Sequence, residues 1–146
     1  MFNTSTSGIS GLAARPVGST DNFWSIGGGV TGKVVFEAPA SYFGFLWGSP
    51  DVGSWNRIKF YDGNALLASF DGSVISGGNA WTNSRYFNVY AGVGEKITSV
   101  VFSASQNAFE TDNHAFITAV PEPESYALIL AGLGLIGLGV RRRQQG

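Results

Sequence analysis

The sequence predicts an all-β fold: a single β-sandwich or jelly-roll-like domain, followed by a C-terminal transmembrane helix. Three observations predict it. Glycine fills 21 of 146 positions and aromatic residues make up 14% of the chain, while charged residues make up only 13%. That composition suits short strands joined by tight turns. Turn-forming clusters recur about every 8–12 residues up to Val120, with no helical periodicity between them. An uncharged run from Tyr126 to Val140 then closes on Arg141-Arg142-Arg143. The expected division is an N-terminal remnant or loop over 1–21, the β domain over 22–119, and a C-terminal tail over 120–146 with a membrane helix over 126–140.

The elements follow in chain order. Asn3–Gly11 is rich in Ser, Thr and Gly and reads as loop or a piece of first strand. Phe23, Trp24 and Ile26 precede a turn at Gly27-Gly28-Gly29. Lys33–Glu37 alternates, with Val34 and Phe36 inward, and Pro39 is expected to end that strand. Ser41–Trp47 is apolar on both faces, with Phe43, Phe45 and Trp47 on one side and Tyr42 and Leu46 on the other. It reads as a central strand. Gly48-Ser49-Pro50-Asp51 turns the chain into Trp55–Tyr61, where Ile58 and Phe60 point inward and Arg57 and Lys59 outward. Asp62-Gly63-Asn64 is a hairpin signal, after which Leu66, Ala68 and Phe70 return on one face. A looser loop at Ser76-Gly77-Gly78-Asn79 leads to a strand over Arg85–Tyr90. Ile97–Ala104 and a last strand ending near Val120 complete seven or eight strands.

The tail makes three physical statements in a row. Pro121 and Pro123 fix two backbone torsions and remove two amide donors, so Pro121-Glu122-Pro123 is a stiff, accessible spacer. Tyr126–Val140 carries no charge and prefers lipid. Its 15 residues span roughly 22 Å, short against a hydrocarbon core of about 30 Å. Such a length suits a segment held briefly and then cut away. Arg141, Arg142 and Arg143 form a stop-transfer cluster that stays on the cytoplasmic side, leaving the residues before Pro121 outside. Gly132-Leu133-Gly134-Leu135-Ile136-Gly137 has the spacing of a dinucleotide-binding loop, but no βαβ unit surrounds it and the reading is discarded.

The order Pro-Glu-Pro, apolar helix, arginine cluster resembles the PEP-CTERM sorting signal of exported bacterial proteins. The resemblance implies processing by an exosortase, an integral-membrane cysteine protease-transpeptidase, with Pro121, Glu122 and Pro123 as the recognition element. It implies a membrane-anchored precursor with its domain outside the cytoplasm, and a mature form at the cell surface or in the extracellular matrix. The stretches Phe43–Asp51, Ile58–Gly63 and Ala108–Asn113 are similar to the body of an exosortase-dependent surface-protein family of unknown biochemical activity. Met1 to Ser19 shows neither a basic n-region nor an apolar h-region. The expectation is that the sequence starts downstream of its leader, at an internal methionine or as a gene fragment; the alternative is a remnant that is never exported.

Candidate chemistry is sparse. With no cysteine, disulfides, thiolate catalysis and cysteine zinc sites are excluded. Residues 1–120 hold six Lys/Arg and eight Asp/Glu, so no basic surface invites nucleic acid. Glu110, Asp112 and the single His114 would share one face of a continuous strand, and Glu110 with Asp112 is the candidate calcium pair. Two local carboxylates fall short of the roughly six oxygens calcium takes, and the favoured reading is no metal and no cofactor. No nucleophile motif stands out, and the expected class is non-enzymatic. The competing class is a carbohydrate-binding module recognising exopolysaccharide. Trp55 and Trp81, beside loops, are its candidate stacking residues, whereas Trp47 is assigned to the core.

Overall fold

The structure is a computed structural model that describes residues 2–3, 12–51, 55–75, 84–119 and 126–133. Eight strands form one antiparallel sheet: β1 (Phe2–Asn3), β2 (Phe23–Ile26), β3 (Val30–Gly48), β4 (Asn56–Asp62), β5 (Ala65–Asp71), β6 (Arg85–Tyr90), β7 (Ile97–Ala104) and β8 (Phe109–Thr118). The strand order is β1-β2-β8-β3-β7-β4-β5, with β6 also paired to β3. The expectation of an all-β antiparallel domain is met.

β3 organises the sheet because it belongs to two lobes. Its first part, from Val30 to Val35, pairs with β7, which continues into β4 and β5. Its second part pairs with β8 on one side, from Ala40 to Gly48, and with β6 on the other, from Tyr42 to Trp47. The sequence reading ended a strand at Pro39, and the structure corrects this. Val35 faces Ser99 while Ala40 faces Ile97, so residues 36–39 bulge out opposite Thr98 alone. A proline disrupts a ladder only where its missing N–H is needed, and at a bulge it is not. The chain turns the corner at Pro39, and the Pro39 carbonyl accepts a bond from Ala119 N–H at 2.7 Å. Strands that pass between layers at a bend are how two layers are joined at a corner.

The lobes face each other across a core of rings. Phe45 of β3 meets Phe102 of β7 at 5.3 Å between centroids, and Phe70 of β5 meets Phe87 of β6 at 5.3 Å. Since β5 ends the path β3-β7-β4-β5 while β6 pairs with β3, that contact requires the sheet to fold over on itself. Phe43, Phe45 and Trp47 are fully buried, as the alternation of Ser41–Trp47 requires, and Trp47 stacks on Phe109 at 4.7 Å. Ile58 and Phe60 are buried from β4.

The hairpin after β4 has the expected two-residue loop, with Gly63 at φ +55° between paired Asp62 and Ala65. One detail of β5 differs from the sequence reading. Phe60 faces Ala68 while Tyr61 faces Leu66, so Leu67 is an extra residue on β5. That slip turns Leu67 toward the core and leaves Leu66 54% exposed, while Ala68 and Phe70 remain on the core face.

A helix over 126–133 is the described part of the tail. Among the described residues no helix is long and apolar enough to cross a membrane, and these eight residues span about 12 Å. Residues 134–140 of the expected span lie outside the described residues.

Removing the central ring should dominate stability. Phe45→Ala should cost about 3–5 kcal/mol in urea unfolding, because Phe45 contacts rings from β3, β6, β7 and β8. Leu66→Ala should stay within about 0.5 kcal/mol of the parent. Equal costs at the two positions would contradict the assignment of the core.

Candidate functional site

Each strand presents one face to the core and one outward, and the outward face of β6-β3-β8 holds the polar chemistry. On this face Leu46 is opposite Asp112, and Gly48 is opposite Glu110. Glu110 nevertheless is only 2% exposed, because residues 12–19 lie across it. Pro16 sits on Gly48, where an added Cβ would lie 2.8 Å from its ring. Ala14 N–H donates to Glu110 Oε1 at 2.9 Å, the Ser49 hydroxyl donates to Glu110 Oε2 at 2.8 Å, and Val17 N–H donates to Ser84 Oγ at 2.6 Å. Residues 12–19, within the segment assigned to an N-terminal remnant or loop, therefore form a strap that crosses from β8 over β3 to the start of β6.

Burial pushes the Glu110 carboxyl up from 4.5 to about 7, against hydrogen bonds from Ala14, Ser49 and its own backbone that favour its charge, and with a small contribution from nearby Asp51. Asp51 is itself raised by burial, opposed by the Asn56 amide that donates to it at 3.2 Å. Both Glu110 oxygens are thus engaged within the protein. The calcium pair Glu110 and Asp112 shares the outward face, but His114 does not join it. Gly44 faces Ala115 while Leu46 faces Asp112, so Asn113 and His114 together oppose Phe45, with Asn113 at φ +49°. This bulge reverses the alternation and turns the His114 ring toward the core, which corrects the expectation of one shared face. Among the described residues no three Asp, Glu or His side chains gather into a metal-sized group.

His114 packs beside Trp24, Phe43, Phe45 and Phe102, and its Nε2 lies 3.0 Å from the Thr111 hydroxyl. Burial lowers its pKa, and Asp112 acts in the opposite sense. The residue is nonetheless exposed overall and opens on a cleft of about 420 Å³ between β8 and the first part of β3, lined by Val34, Phe36, Phe43, His114, Phe116 and Thr118, among others.

Beyond the strap, the same outward face carries three tyrosines that the sequence search for stacking residues passed over. Tyr42 is opposite Tyr90, Gly44 opposite Asn88 and Leu46 opposite Tyr86. The Tyr42 and Tyr90 rings lie 4.9 Å apart, tilted by 40°. Tyr42 folds its hydroxyl over Gly44, and Tyr86 Cε1 lies 2.8 Å from where a Cβ at that glycine would be. Only glycine allows both rings to approach the sheet there. The Tyr42 hydroxyl donates to Asn88 Oδ1 at 2.8 Å, and the Tyr86 hydroxyl donates to the Asn113 carbonyl at 3.0 Å. Burial and the adjoining Tyr42 hydroxyl push the Tyr86 phenol up to about 12. The alternation Tyr86-Asn88-Tyr90 against Phe87-Val89 was the available signal.

Of the sequence candidates, Trp55 is 50% exposed at the start of β4, while Trp81 lies outside the described residues. Pro121, Glu122 and Pro123 lie outside them too, as do Arg141, Arg142 and Arg143. An antiparallel β domain whose last strand runs into a separate C-terminal signal is the plan of a sorted protein. The signal here is a PEP-CTERM protein-sorting motif, whose family model matches residues 119–143. The motif implies an exosortase-dependent sorting signal on a secreted, membrane-processed precursor. No curated protein and no solved structure matches the chain.

The strap makes stability depend on pH. Native Glu110 holds its proton up to about pH 7, whereas an unfolded glutamate releases it near 4.5. The contribution is complete below pH 4.5 and is lost as pH rises through 7, by on the order of 3 kcal/mol at most. Urea unfolding at pH 5 and pH 8 should show this loss in the parent and a flatter profile in Glu110→Gln. A parent profile that Glu110→Gln leaves unchanged would assign the pH dependence elsewhere.

Proposed function

We propose that this protein is a non-enzymatic cell-envelope component, delivered by its tail and cut by an exosortase, with the β domain as the cargo. The observation that carries the reading is the match of residues 119–143 to the PEP-CTERM motif, directly after a strand that completes the sheet. Ala119 is still bonded to Pro39, so the domain closes where the signal begins. In the precursor the run Tyr126–Val140 enters the membrane, Arg141, Arg142 and Arg143 stay on the cytoplasmic side, and Pro121-Glu122-Pro123 is read by the protease. The mature domain resides at the cell surface or in the extracellular matrix.

The non-enzymatic reading is supported by the fate of the buried acid. The Glu110 carboxyl has both oxygens occupied within the protein, by Ala14 and Ser49.

The test is processing in an exosortase-bearing host. Replacing Arg141, Arg142 and Arg143 with Glu should raise the ratio of precursor to mature protein on an immunoblot. Replacing Pro121, Glu122 and Pro123 with Ala should abolish the mature band. Parent-like ratios in both variants would refute the reading.

A further inference from the structure

We propose that the tyrosine face of β6-β3-β8 is a binding platform for a flat, neutral polysaccharide. The strap leaves this part of the outward face open. Tyr90 is 72% exposed and Tyr86 41%. The rings are not loose apolar side chains seeking cover. Tyr42 and Tyr86 have their hydroxyls tied to Asn88 and Asn113, and both approach Gly44, so little rotamer freedom remains for a ligand to quench. Rings fixed over a sheet offer their faces, and the C–H face of a pyranose ring stacks on such a surface.

The polar groups favour the same ligand. Asn88 lies between Tyr86 and Tyr90 on this face, and its amide accepts from the Tyr42 hydroxyl while keeping an NH2 able to donate. Sugar hydroxyls need that mixed capacity. Asp112 is on this face, in line with Tyr86 across Leu46, while Arg85 is opposite the core-facing Trp47. An aromatic surface edged by a carboxylate complements a neutral glycan rather than an anionic one or a nucleic acid. Tyr86 and Tyr90, four residues apart on one strand, are separated by about 13 Å along it, room for more than one sugar ring. The proposal transfers the glycan contacts from Trp55 and Trp81 to Tyr42, Tyr86 and Tyr90, and it holds whether or not the tail is processed.

The experiment is a sedimentation assay of the full chain, kept in detergent, on insoluble cellulose and chitin, with soluble alginate as the anionic comparison. The parent should bind at least one neutral polymer and not alginate. Tyr90→Ala should weaken binding on the order of tenfold, the loss of one stacked ring. Trp55→Ala, away from the tyrosine face, should bind within a few-fold of the parent. A thermal melt of each variant separates lost binding from lost folding. Absence of parent binding to both polymers overturns the proposal. So does binding that Tyr90→Ala preserves and Trp55→Ala abolishes. A Tyr90→Ala effect on self-association in analytical ultracentrifugation, with glycan binding unchanged, would assign the face to a second copy of the chain instead.

Discussion

The rest of the structure depends on one strand serving two lobes. β3 runs from Val30 to Gly48, and its bend at residues 36–39 folds a single sheet over on itself. Because the bend lies before Phe43, the alternation that follows sends three large rings into the space between lobes. The register break frees the backbone of Pro39 from the ladder, and the freed carbonyl receives Ala119. It also leaves Val34 and Phe36 beside the end of β8, which is how the cleft at His114 comes to exist. Straightening β3 would undo all of these at once.

Period-two reading was sufficient wherever a strand is regular. It separates Phe43, Phe45 and Trp47 from Tyr42 and Leu46, and Ile58 and Phe60 from Arg57 and Lys59, because burial on one face selects the residue type at every second position. It fails at the bulges. One inserted residue flips all that follows, and neither Leu67 nor Asn113 is marked by composition strongly enough to reveal it. Pro39 was misleading for a related reason: proline reports that a backbone N–H donor is absent, not that the strand stops. The strap was illegible because its anchor, Glu110, lies 96 positions away from Ala14. The sorting tail was legible because its meaning lies in an order of chemical types rather than in a shape.

The two faces of β3 embody opposite uses of aromatic residues. Inward, the rings are enclosed and contact one another edge-on or stacked. Outward, tyrosine replaces phenylalanine, and each tied hydroxyl fixes a ring that has no second layer above it. A single carboxylate on that outward face is held under the strap, where low polarity rather than a partner charge sets its proton affinity. With few charges in the chain, local dielectric decides more of its ionisation than salt bridges do.

The bond between Ala119 and Pro39 has a mechanical meaning when force is applied to the C-terminus. β8 lies antiparallel to β3 over the stretch from Ala40 to Gly48. A pull on the tail in line with β8 therefore loads the rungs of that ladder side by side instead of opening them one after another. Force applied in this direction must shear β8 past the buried centre of the domain, with Trp47 and Phe109 stacked beside it. The strand that carries the address is thereby also the one best placed to bear tension.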